Sequence, residues 1–411
     1  MISVLFWLAV GLLAYTYVGF ALLVLARGFA FPRPYRRAEV TPSVSMVIAA
    51  HNEAPGIGAK IENLLALDYP DDLLEIVIAS DGSDDGTDAI VDRFRDRPGR
   101  QVRLLSLPRG GKAATLTAAV ATTSGEILAF SDANSIFAPG SIRELARPFA
   151  DPDVGGVAGD QRYLSEGDAN GIAKGEQSYW SFDRLLKEAE SRSGSVISAT
   201  GAIYAIRRVH FAPVRPDVTD DFYVSTGVVA GGRRLVFAPA AVAYEPVAAS
   251  GRHEFGRKVR IMTRGFRGVI ARRALLNPFR HGFYSVQLFS HKVLRRLMVV
   301  PLALLLVTSA LRFDDGLAYQ ALTIAQIVLY ALGITGLLAA GTRLGRLKPV
   351  AVPAFFCLVN AASVCAVWNI LRGNRIDRWE PRRADGSTGA GRQEGASSDT
   401  TEDDLAWRPK T

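Results

Sequence analysis

Residues 75–87 read EIVIASDGSDDGT, an apolar run that opens into a polar loop with two glycines. The run is short and rich in Ile, which predicts a buried strand at 75–80, and the loop leads into a predicted helix at 87–94. The same alternation continues on both sides. Further strands are predicted at 44–49, 102–105, 127–130 and 154–158, and further helices at 54–67 and 112–122. This pattern predicts an α/β fold with a mostly parallel sheet and helices on its faces.

Polar side chains follow three of the predicted strands. They are His51, Asn52 and Glu53 after the first strand, Asp81 to Asp85 after the second, and Asp132 and Asn134 after the fourth. Ligands of an open α/β sheet bind beyond the carboxyl ends of its strands. One such residue alone is most often a helix N-cap, but three groups at one edge favour a site for a hydrophilic ligand.

Asp132 and Asn134 are candidate metal ligands. They are one residue apart, and in extended backbone alternate side chains project to the same face. Their oxygens suit Mg²⁺ or Mn²⁺ bound jointly by protein and phosphate. Lys112 follows Gly110 and Gly111 at a predicted helix start, where it could face a diphosphate or be a solvated surface lysine.

The composition adds a membrane part to this domain. The 411 residues contain 48 Lys and Arg against 40 Asp and Glu, a net charge of +8, with 49% hydrophobic residues, and the mean hydropathy is +0.14. These values exclude a disordered, collagenous or disulfide-stapled protein. Uncharged segments at 2–26, 316–341 and 349–371 are long enough to span a bilayer, whereas 297–311 is short. We expect three or four spans.

Basic residues beginning at Arg27 follow the first span, which favours an external N-terminus and a cytosolic α/β domain. No arrangement of the later spans places every basic loop inside, so the side of the tail stays open. A nucleic-acid role is disfavoured because the basic residues flank apolar spans with few interleaved aromatics.

Five motifs occur in a fixed order along the chain. They are His51-Asn52-Glu53, Asp81-Gly82-Ser83, Gly111-Lys112, Asp132-Ala133-Asn134 and Thr219-Asp220-Asp221. In order and spacing this set resembles the membrane-embedded family 2 glycosyltransferases, which include cellulose, hyaluronan and exopolysaccharide synthases. The resemblance covers about residues 40–275. It implies a Rossmann-like GT-A fold, a nucleotide-sugar donor, which is a UDP-sugar in most members, and metal-dependent inverting hexosyl transfer.

The resemblance also implies residue roles. Asp81 would contact the nucleoside with Asn52 and Glu53 nearby, Asp132 and Asn134 would hold Mg²⁺ or Mn²⁺, and Asp221 would be the general base. Asp220, Lys112, Arg257 and Arg260 would bind donor or diphosphate, and Gly201, in the small-residue stretch 199–202, would let the acceptor approach. These assignments are expectations from the family pattern.

The sequence departs from that pattern at three motifs. Asn134 and Asp220 stand where the family has an aspartate and a glutamate. Residues 257–261 keep only the arginine of the Gln-x-x-Arg-Trp motif, at Arg260, and Ile261 replaces the tryptophan, which leaves processive polymerisation open. The string Thr401-Glu402-Asp403 matches the base motif literally, but it lies in a polar tail beyond the last span, so Asp221 is preferred.

The expected organisation has five parts. They are a span at 1–27, a cytosolic GT-A domain at 40–250, basic amphipathic interface helices at 251–296, a membrane region at 297–371 and a disordered tail at 372–411. The basic helix at 253–273 could instead lie on anionic headgroups. This organisation predicts a multi-pass inner-membrane protein whose partners are the bilayer, a nucleotide sugar, a polysaccharide or lipid-linked acceptor, and polysaccharide-export proteins.

Two other function classes remain open at this point. A membrane-anchored sugar-nucleotide nucleotidyltransferase would share the nucleotide sheet and the metal carboxylate, but it would not need a base aspartate ahead of interface helices. A non-catalytic nucleotide-sugar sensor would keep Asp81 and could dispense with Asp221.

Overall fold

A computed structural model describes residues 1–164, 171–246 and 254–374. Within these residues one mixed sheet is formed by β1 (Val44–Ala50), β2 (Leu74–Asp81), β3 (Val102–Leu107), β4 (Ile127–Phe130), β5 (Ile136–Phe137), β6 (Val154–Leu164), β7 (Tyr204–Arg207) and β8 (Arg234–Pro246). All five predicted strands are present, most of them one to six residues longer than expected. The short strands β5 and β7 and the long strand β8 were not predicted.

The strand order is β3-β2-β1-β4-β7-β6-β8-β5. Strands β3, β2, β1 and β4 are mutually parallel, as predicted, with Val47 paired to Val77 on one side and to Phe130 on the other. Strand β7 runs antiparallel to β4 and β6, and β8 runs parallel to β6. The first half of the domain is therefore a parallel sheet, and antiparallel pairing enters in the second half.

Helices cover both faces of the sheet and extend beyond it. They are α1 (Ile2–Ala30), α2 (Ala54–Leu65), α3 (Thr87–Asp92), α4 (Lys112–Ala121), α5 (Ser141–Ala146), α6 (Gly171–Ser193), α7 (Asp220–Ala230), α8 (Glu254–Ala271), α9 (Pro278–His281), α10 (Phe283–Leu297), α11 (Val299–Leu311), α12 (Leu317–Leu338) and α13 (Lys348–Leu371). The predicted helices at 54–67, 87–94 and 112–122 correspond to α2, α3 and α4, each slightly shorter than expected.

The two faces of β1 explain this layering. Val47 and Ala49 pack in one buried cluster with Leu116 of α4, and Met46 and Ile48 pack in another with α2. Because every residue of β1 is buried, the strand reads as a continuous apolar run. Removing one such side chain from water contributes about 1.5–3 kcal/mol.

Within the described residues, three helices are long and apolar enough to cross a membrane, namely α1, α12 and α13. Helices α10 and α11 form a pair bent by 54°, which makes a fourth span if the pair crosses as one unit. Helix α11 corresponds to the short uncharged segment at 297–311. The number of membrane spans therefore stays at three or four, as expected from the sequence. Phe20 and Val24 of α1 belong to the same buried cluster as α4, so this apolar helix packs directly on the domain.

The basic helix predicted at 253–273 is α8. It packs against the last apolar helix: Lys258 Nζ lies 4.7 Å from the centroid of the Phe355 ring, and Ser363 Oγ donates to Met262 Sδ at 3.3 Å. Arg264 donates to the carbonyl of Val218 at 2.6 Å, which ties α8 to the residues just before α7. The tail from residue 375, including 401–403, lies outside the described residues.

Candidate active site

The parallel strands β1, β2 and β4 end at one edge of the sheet, and the predicted polar loops follow them there. The loops after β1 and β2 are joined by hydrogen bonds. Asn52 Oδ1 accepts from the amide of Asp84 at 3.0 Å, and the amide of Glu53 donates to Thr87 Oγ1 at 2.9 Å. Asn52 has φ +54, a left-handed conformation that Asn tolerates better than most residues. The first two motifs therefore form one continuous rim.

Asp81 is fully buried at the end of β2. Its Oδ1 accepts from the amides of Gly110 and Gly111 at 2.7 and 2.9 Å, and Arg109 forms an ion pair with Oδ2 at 2.5 Å. The carboxylate thus holds the glycine turn that precedes α4. Arg109 was not among the predicted site residues, because nothing in the local sequence distinguishes it from a surface arginine.

Lys112 is the first residue of α4, and it joins two of the predicted motifs. Its Nζ lies 2.6 Å from Asp132 Oδ1 and 3.0 Å from Asp220 Oδ2, with only 15% of the side chain exposed. Burial opposes the charge, but the two carboxylates outweigh burial and raise the pKa of Lys112 above its ordinary value. Lys112 is therefore a permanent cation at the centre of the acidic residues.

Asp221 lies in the first turn of α7, directly after Asp220. Its Oδ1 accepts from the amide of Phe222 at 2.7 Å. Burial and the charge of Asp220 raise the pKa of Asp221 to about 6, although Lys112 acts in the opposite direction. A carboxyl group with such a pKa is ionised at neutral pH and is a better proton acceptor than an ordinary aspartate.

The loop at 131–135 alternates between buried and partly exposed residues. Ser131, Ala133 and Ser135 are buried, whereas Asp132 and Asn134 are partly exposed, so the two candidate ligands face the same open side. A Cβ at Gly201 would come within 2.8 Å of Asp132 Oδ2. Glycine is thus required at 201 for the carboxylate to take this position, which places Gly201 against the candidate metal ligand.

Lys60, which the sequence reasoning missed, supports this loop from inside. It is fully buried on α2, and its Nζ donates to Ser131 Oγ at 2.7 Å and to the carbonyl of Ser135. The signal was available in the sequence. Lys60 occupies the apolar stripe of α2 with Ile57, Ile61 and Leu64, where a lysine needs a buried partner.

Arg257 and Arg260 lie on α8, both partly exposed. Arg260 is one helical turn before Arg264, whose contact with Val218 anchors α8 beside the start of α7. Ile261, at the tryptophan position of the family motif, is 43% exposed. The structure therefore brings together six of the predicted residues through direct contacts or adjacency in the chain, and it places the two arginines on the neighbouring helix. The six are Asp81, Lys112, Asp132, Gly201, Asp220 and Asp221.

Comparisons with known proteins agree with this geometry. Residues 45–213 match the model of glycosyl transferase family 2. A β-monoglucosyldiacylglycerol synthase from Synechocystis sp. is 29% identical over 157 residues, which cover 38% of this chain and 33% of that protein. An N-acetylglucosaminyltransferase from Rhizobium meliloti is 26% identical over 215 residues, 49% of this chain and 50% of that protein. The chain thus spans only a third to a half of these curated relatives.

Among solved structures, a mannosyltransferase from Pyrobaculum calidifontis in complex with GDP-Man and Mn²⁺ superimposes with a TM-score of 0.67. The match covers 90% of this chain and all of that one at 24% identity, and it concerns the fold. The expected GT-A architecture is confirmed. Residues 45–213, which hold β1 to β7 and the motifs from His51 to Asn134, therefore match family 2 of the glycosyltransferases.

Proposed function

We propose that this chain is a membrane-bound inverting glycosyltransferase that moves a hexosyl group from a nucleotide sugar to a polysaccharide or lipid-linked acceptor. The observation that carries the proposal is the position of Asp221, a carboxylate of raised pKa next to the Lys112, Asp132 and Asp220 cluster at the carboxyl edge of the sheet. The names of the relatives, one a glycolipid synthase and one an N-acetylglucosaminyltransferase, support a lipid or glycan acceptor.

The donor would bind along the joined rim. Asp81, Asn52 and Glu53 would surround the nucleoside, and the glycine turn at 110–111 would place the diphosphate near the start of α4. The free amides at a helix start favour an anion, and Lys112 adds a full positive charge there. Arg257 and Arg260 would approach the diphosphate from α8.

Asp132 and Asn134 fit a divalent ion that the donor helps to bind. A carboxylate and an amide oxygen on one open side are a small donor set, and Mg²⁺ commonly completes its shell with substrate phosphate and water. Among the described residues there is no group of three or more His, Cys, Asp or Glu side chains arranged to hold a metal alone. When bound, Mg²⁺ or Mn²⁺ would stabilise the charge on the departing diphosphate.

In the transfer itself, Asp221 would take the proton of the acceptor hydroxyl while the oxygen of that hydroxyl attacks the anomeric carbon of the donor sugar. The bond from that carbon to the diphosphate oxygen breaks on the opposite face, so the configuration inverts and the nucleoside diphosphate leaves with the bonding electron pair. Lys112 would engage Asp132 and Asp220 in ion pairs and offset part of their charge, which leaves Asp221 as the carboxylate available for the proton.

The location would be a bacterial inner membrane with the GT-A domain in the cytosol, where the basic residues after α1 favour it. The domain at 40–250, the interface helices at 251–296 and the membrane region at 297–371 would form this assembly, with polysaccharide-export proteins as further partners. Ile261 in place of the motif tryptophan favours a single transfer over processive synthesis.

A donor screen tests the proposal. The full chain purified in detergent with Mg²⁺ or Mn²⁺ should release nucleoside diphosphate from one of the UDP-, GDP- or dTDP-sugars, and product sizing would report processivity. No release from any of them would contradict transfer. Donor binding without turnover would instead identify a sensor, and pyrophosphate release from a nucleoside triphosphate and a sugar phosphate would identify a nucleotidyltransferase.

Asp221→Asn sharpens the same experiment. We expect transfer to fall by about 10³-fold or more, as for loss of a catalytic base, with donor affinity nearly unchanged. Asp72→Asn, an exposed carboxylate before β2, is the matched control and should leave transfer intact. If the Asp221 variant loses donor binding, the residue is a ligand and not the base.

A further inference from the structure

A cavity of about 460 Å³ lies at the edge of the sheet opposite the candidate active site. Its wall includes Arg234, the first residue of β8. Strand β8 runs parallel to β6, and both run in the direction of β4, whose far end leads to Asp132. The start of β8 is therefore at the other end of the strands from the catalytic rim, and the cavity is a separate site.

The cavity is strongly basic. Its wall contains Arg27, Arg33, Arg233, Arg234 and Arg280, with Asp153 as the acidic residue. Asp153 already pairs with Arg233 at 3.0 Å. Within the described part of the chain, the side chains of Arg33 and Arg280 make no ion pair. The cavity thus holds several arginine charges that no carboxylate of the described fold neutralises.

Arg234 has a structural role in this wall. Its guanidinium donates to the carbonyls of Arg33, Ser191 and Gly194 at 2.9–3.0 Å, which fixes the segment after α1 against the end of α6. Burial and the nearby charge of Arg33 lower the pKa of Arg234. The like charges are therefore held together by the fold, and an anion between them would relieve the repulsion.

Two residues of the cavity wall also carry a buried donor that has no partner among the described residues. Gln287 is 3% exposed, and its Nε2 has no hydrogen-bond partner among the described residues. The same is true of the buried Nε of Arg27, whose guanidinium lies over the ring of Phe283 at 4.5 Å. Buried donors in folded proteins are nearly always satisfied, so two in one cavity indicate a missing acceptor.

The cavity lies where α1 leaves the apolar part of the chain. Phe29 and Phe31 lie between Arg27 and Arg33 in the sequence and are 84% and 63% exposed. Phe279, beside Arg280, is fully exposed. Exposed aromatic rings next to arginines are typical of the membrane–water interface. A ligand from the bilayer would therefore reach this cavity.

We propose that this cavity binds a phosphate group, and that its position at the end of α1 selects the headgroup of an anionic phospholipid. Arg27, Arg33 and Arg280 supply the positive charge, and Gln287 and Arg27 supply the inward donors. Guanidinium groups suit phosphate because they donate two parallel hydrogen bonds. The site is independent of the proposed sugar transfer and can be tested without an activity assay.

Lipid binding to the full chain in neutral detergent is measured by native mass spectrometry with phosphatidylglycerol, with phosphatidylcholine and with diacylglycerol, which has no phosphate. In a second arm, inorganic phosphate is added and the thermal unfolding midpoint is followed. We expect phosphatidylglycerol to bind about tenfold more tightly than phosphatidylcholine, whereas any diacylglycerol bound at the proposed acceptor site should not depend on the cavity arginines.

The test variant is Arg33→Ala with Arg280→Ala, both at exposed positions. It should lose about tenfold in phosphatidylglycerol affinity, and Arg280→Glu alone should lose at least as much by reversing a charge. Arg343→Ala with Arg346→Ala, exposed arginines between α12 and α13, removes the same charge elsewhere and should keep wild-type affinity.

The outcomes separate the sources of phosphate. If inorganic phosphate raises the unfolding midpoint in wild type but not in the Arg33 and Arg280 variant, and phosphatidylglycerol does not bind, the site takes a free phosphate compound. Equal losses in the test and control variants would reduce the effect to general charge attraction and overturn the proposal. The absence of any preference for phosphatidylglycerol or phosphate in wild type would overturn it as well.

Discussion

Lys112 and Lys60 both contact the loop at 131–135, but their surroundings differ in kind. Lys112 meets that loop through the carboxylate of Asp132 and has a second carboxylate in Asp220. Lys60 meets it through a hydroxyl and a carbonyl, so burial dominates and lowers the pKa of Lys60 to about 7, with Asp132 and Glu245 too weak to compensate. Lys112 is a fixed charge for the site, whereas Lys60, with a pKa of about 7, is only about half protonated at neutral pH and supports the loop from beneath.

The largest effect in this comparison should come from Lys112→Met. Without the cation, Asp132, Asp220 and Asp221 repel one another, and the diphosphate loses its nearest positive charge. We expect kcat/KM to fall by about 10³-fold, on the order of 4 kcal/mol in transition-state stabilisation. Steady-state release of nucleoside diphosphate measures this loss, and Lys112→Arg, which keeps the charge, should retain more activity.

The pH dependence of kcat/KM in this variant shows whether Lys112 acts through its charge or only through its packing. Activity that depends on ionised Asp221 rises with pH through its pKa, about 6 in the wild type. Since Lys112 lowers that pKa, its removal should shift the acid limb of kcat/KM to higher pH. An unchanged acid limb with reduced activity would mean that Lys112 does not act on Asp221.

Lys60→Met tests whether the hydrogen bonds of Lys60 hold the loop at 131–135 in position. The substitution leaves Ser131 Oγ and the carbonyl of Ser135 without their donor, which should displace Asp132 and reduce kcat/KM by about 10- to 100-fold. Lys348→Met, at an exposed lysine, is the matched control and should be close to wild type in activity. Equal activity of the Lys60 variant and this control would show that the loop at 131–135 keeps its position without Lys60.

Lys60 also predicts a pH-dependent stability with a defined sign. Between about pH 7 and the ordinary value of 10.5, the unfolded chain holds a proton on Lys60 that the folded chain has lost. Raising the pH through this window therefore stabilises the folded state, by up to about 1.4 kcal/mol per pH unit, and below about pH 7 the contribution is constant and unfavourable. The difference in unfolding midpoint between wild type and Lys60→Met should follow this slope, and a flat difference would contradict the lowered pKa.

The two lysines also mark what sequence can and cannot predict here. Short β-branched runs predicted β1 to β4 to within two residues and the start of β6, and parallel topology then implied that the loops with Asp81 and Asp132 share an edge. The four-residue β7 and the two-residue β5 exist through pairing with distant strands, which no local pattern reports. The pairing of Lys112 with Asp220 is likewise a tertiary fact, whereas the burial of Lys60 could have been inferred from its place in the apolar stripe of α2. The basic cavity was not foreseen, because its wall comes from segments far apart in the chain.

Gly201→Ala should give the smallest effect, and it tests the carboxylate between the two lysines. The added Cβ would lie 2.8 Å from Asp132 Oδ2, so the carboxylate must turn away and weaken its bond to Lys112. We expect kcat/KM to fall by about tenfold, on the order of 1.4 kcal/mol, with a stability loss of about 1 kcal/mol or less. Gly140→Ala is a matched control, because a Cβ there meets no atom within 4 Å.

Double variants of Gly201 and Lys112 should lose less than the sum of the single effects, since both act through Asp132. Additive losses would instead mean that the substitution at Gly201 acts independently of the bond between Asp132 and Lys112.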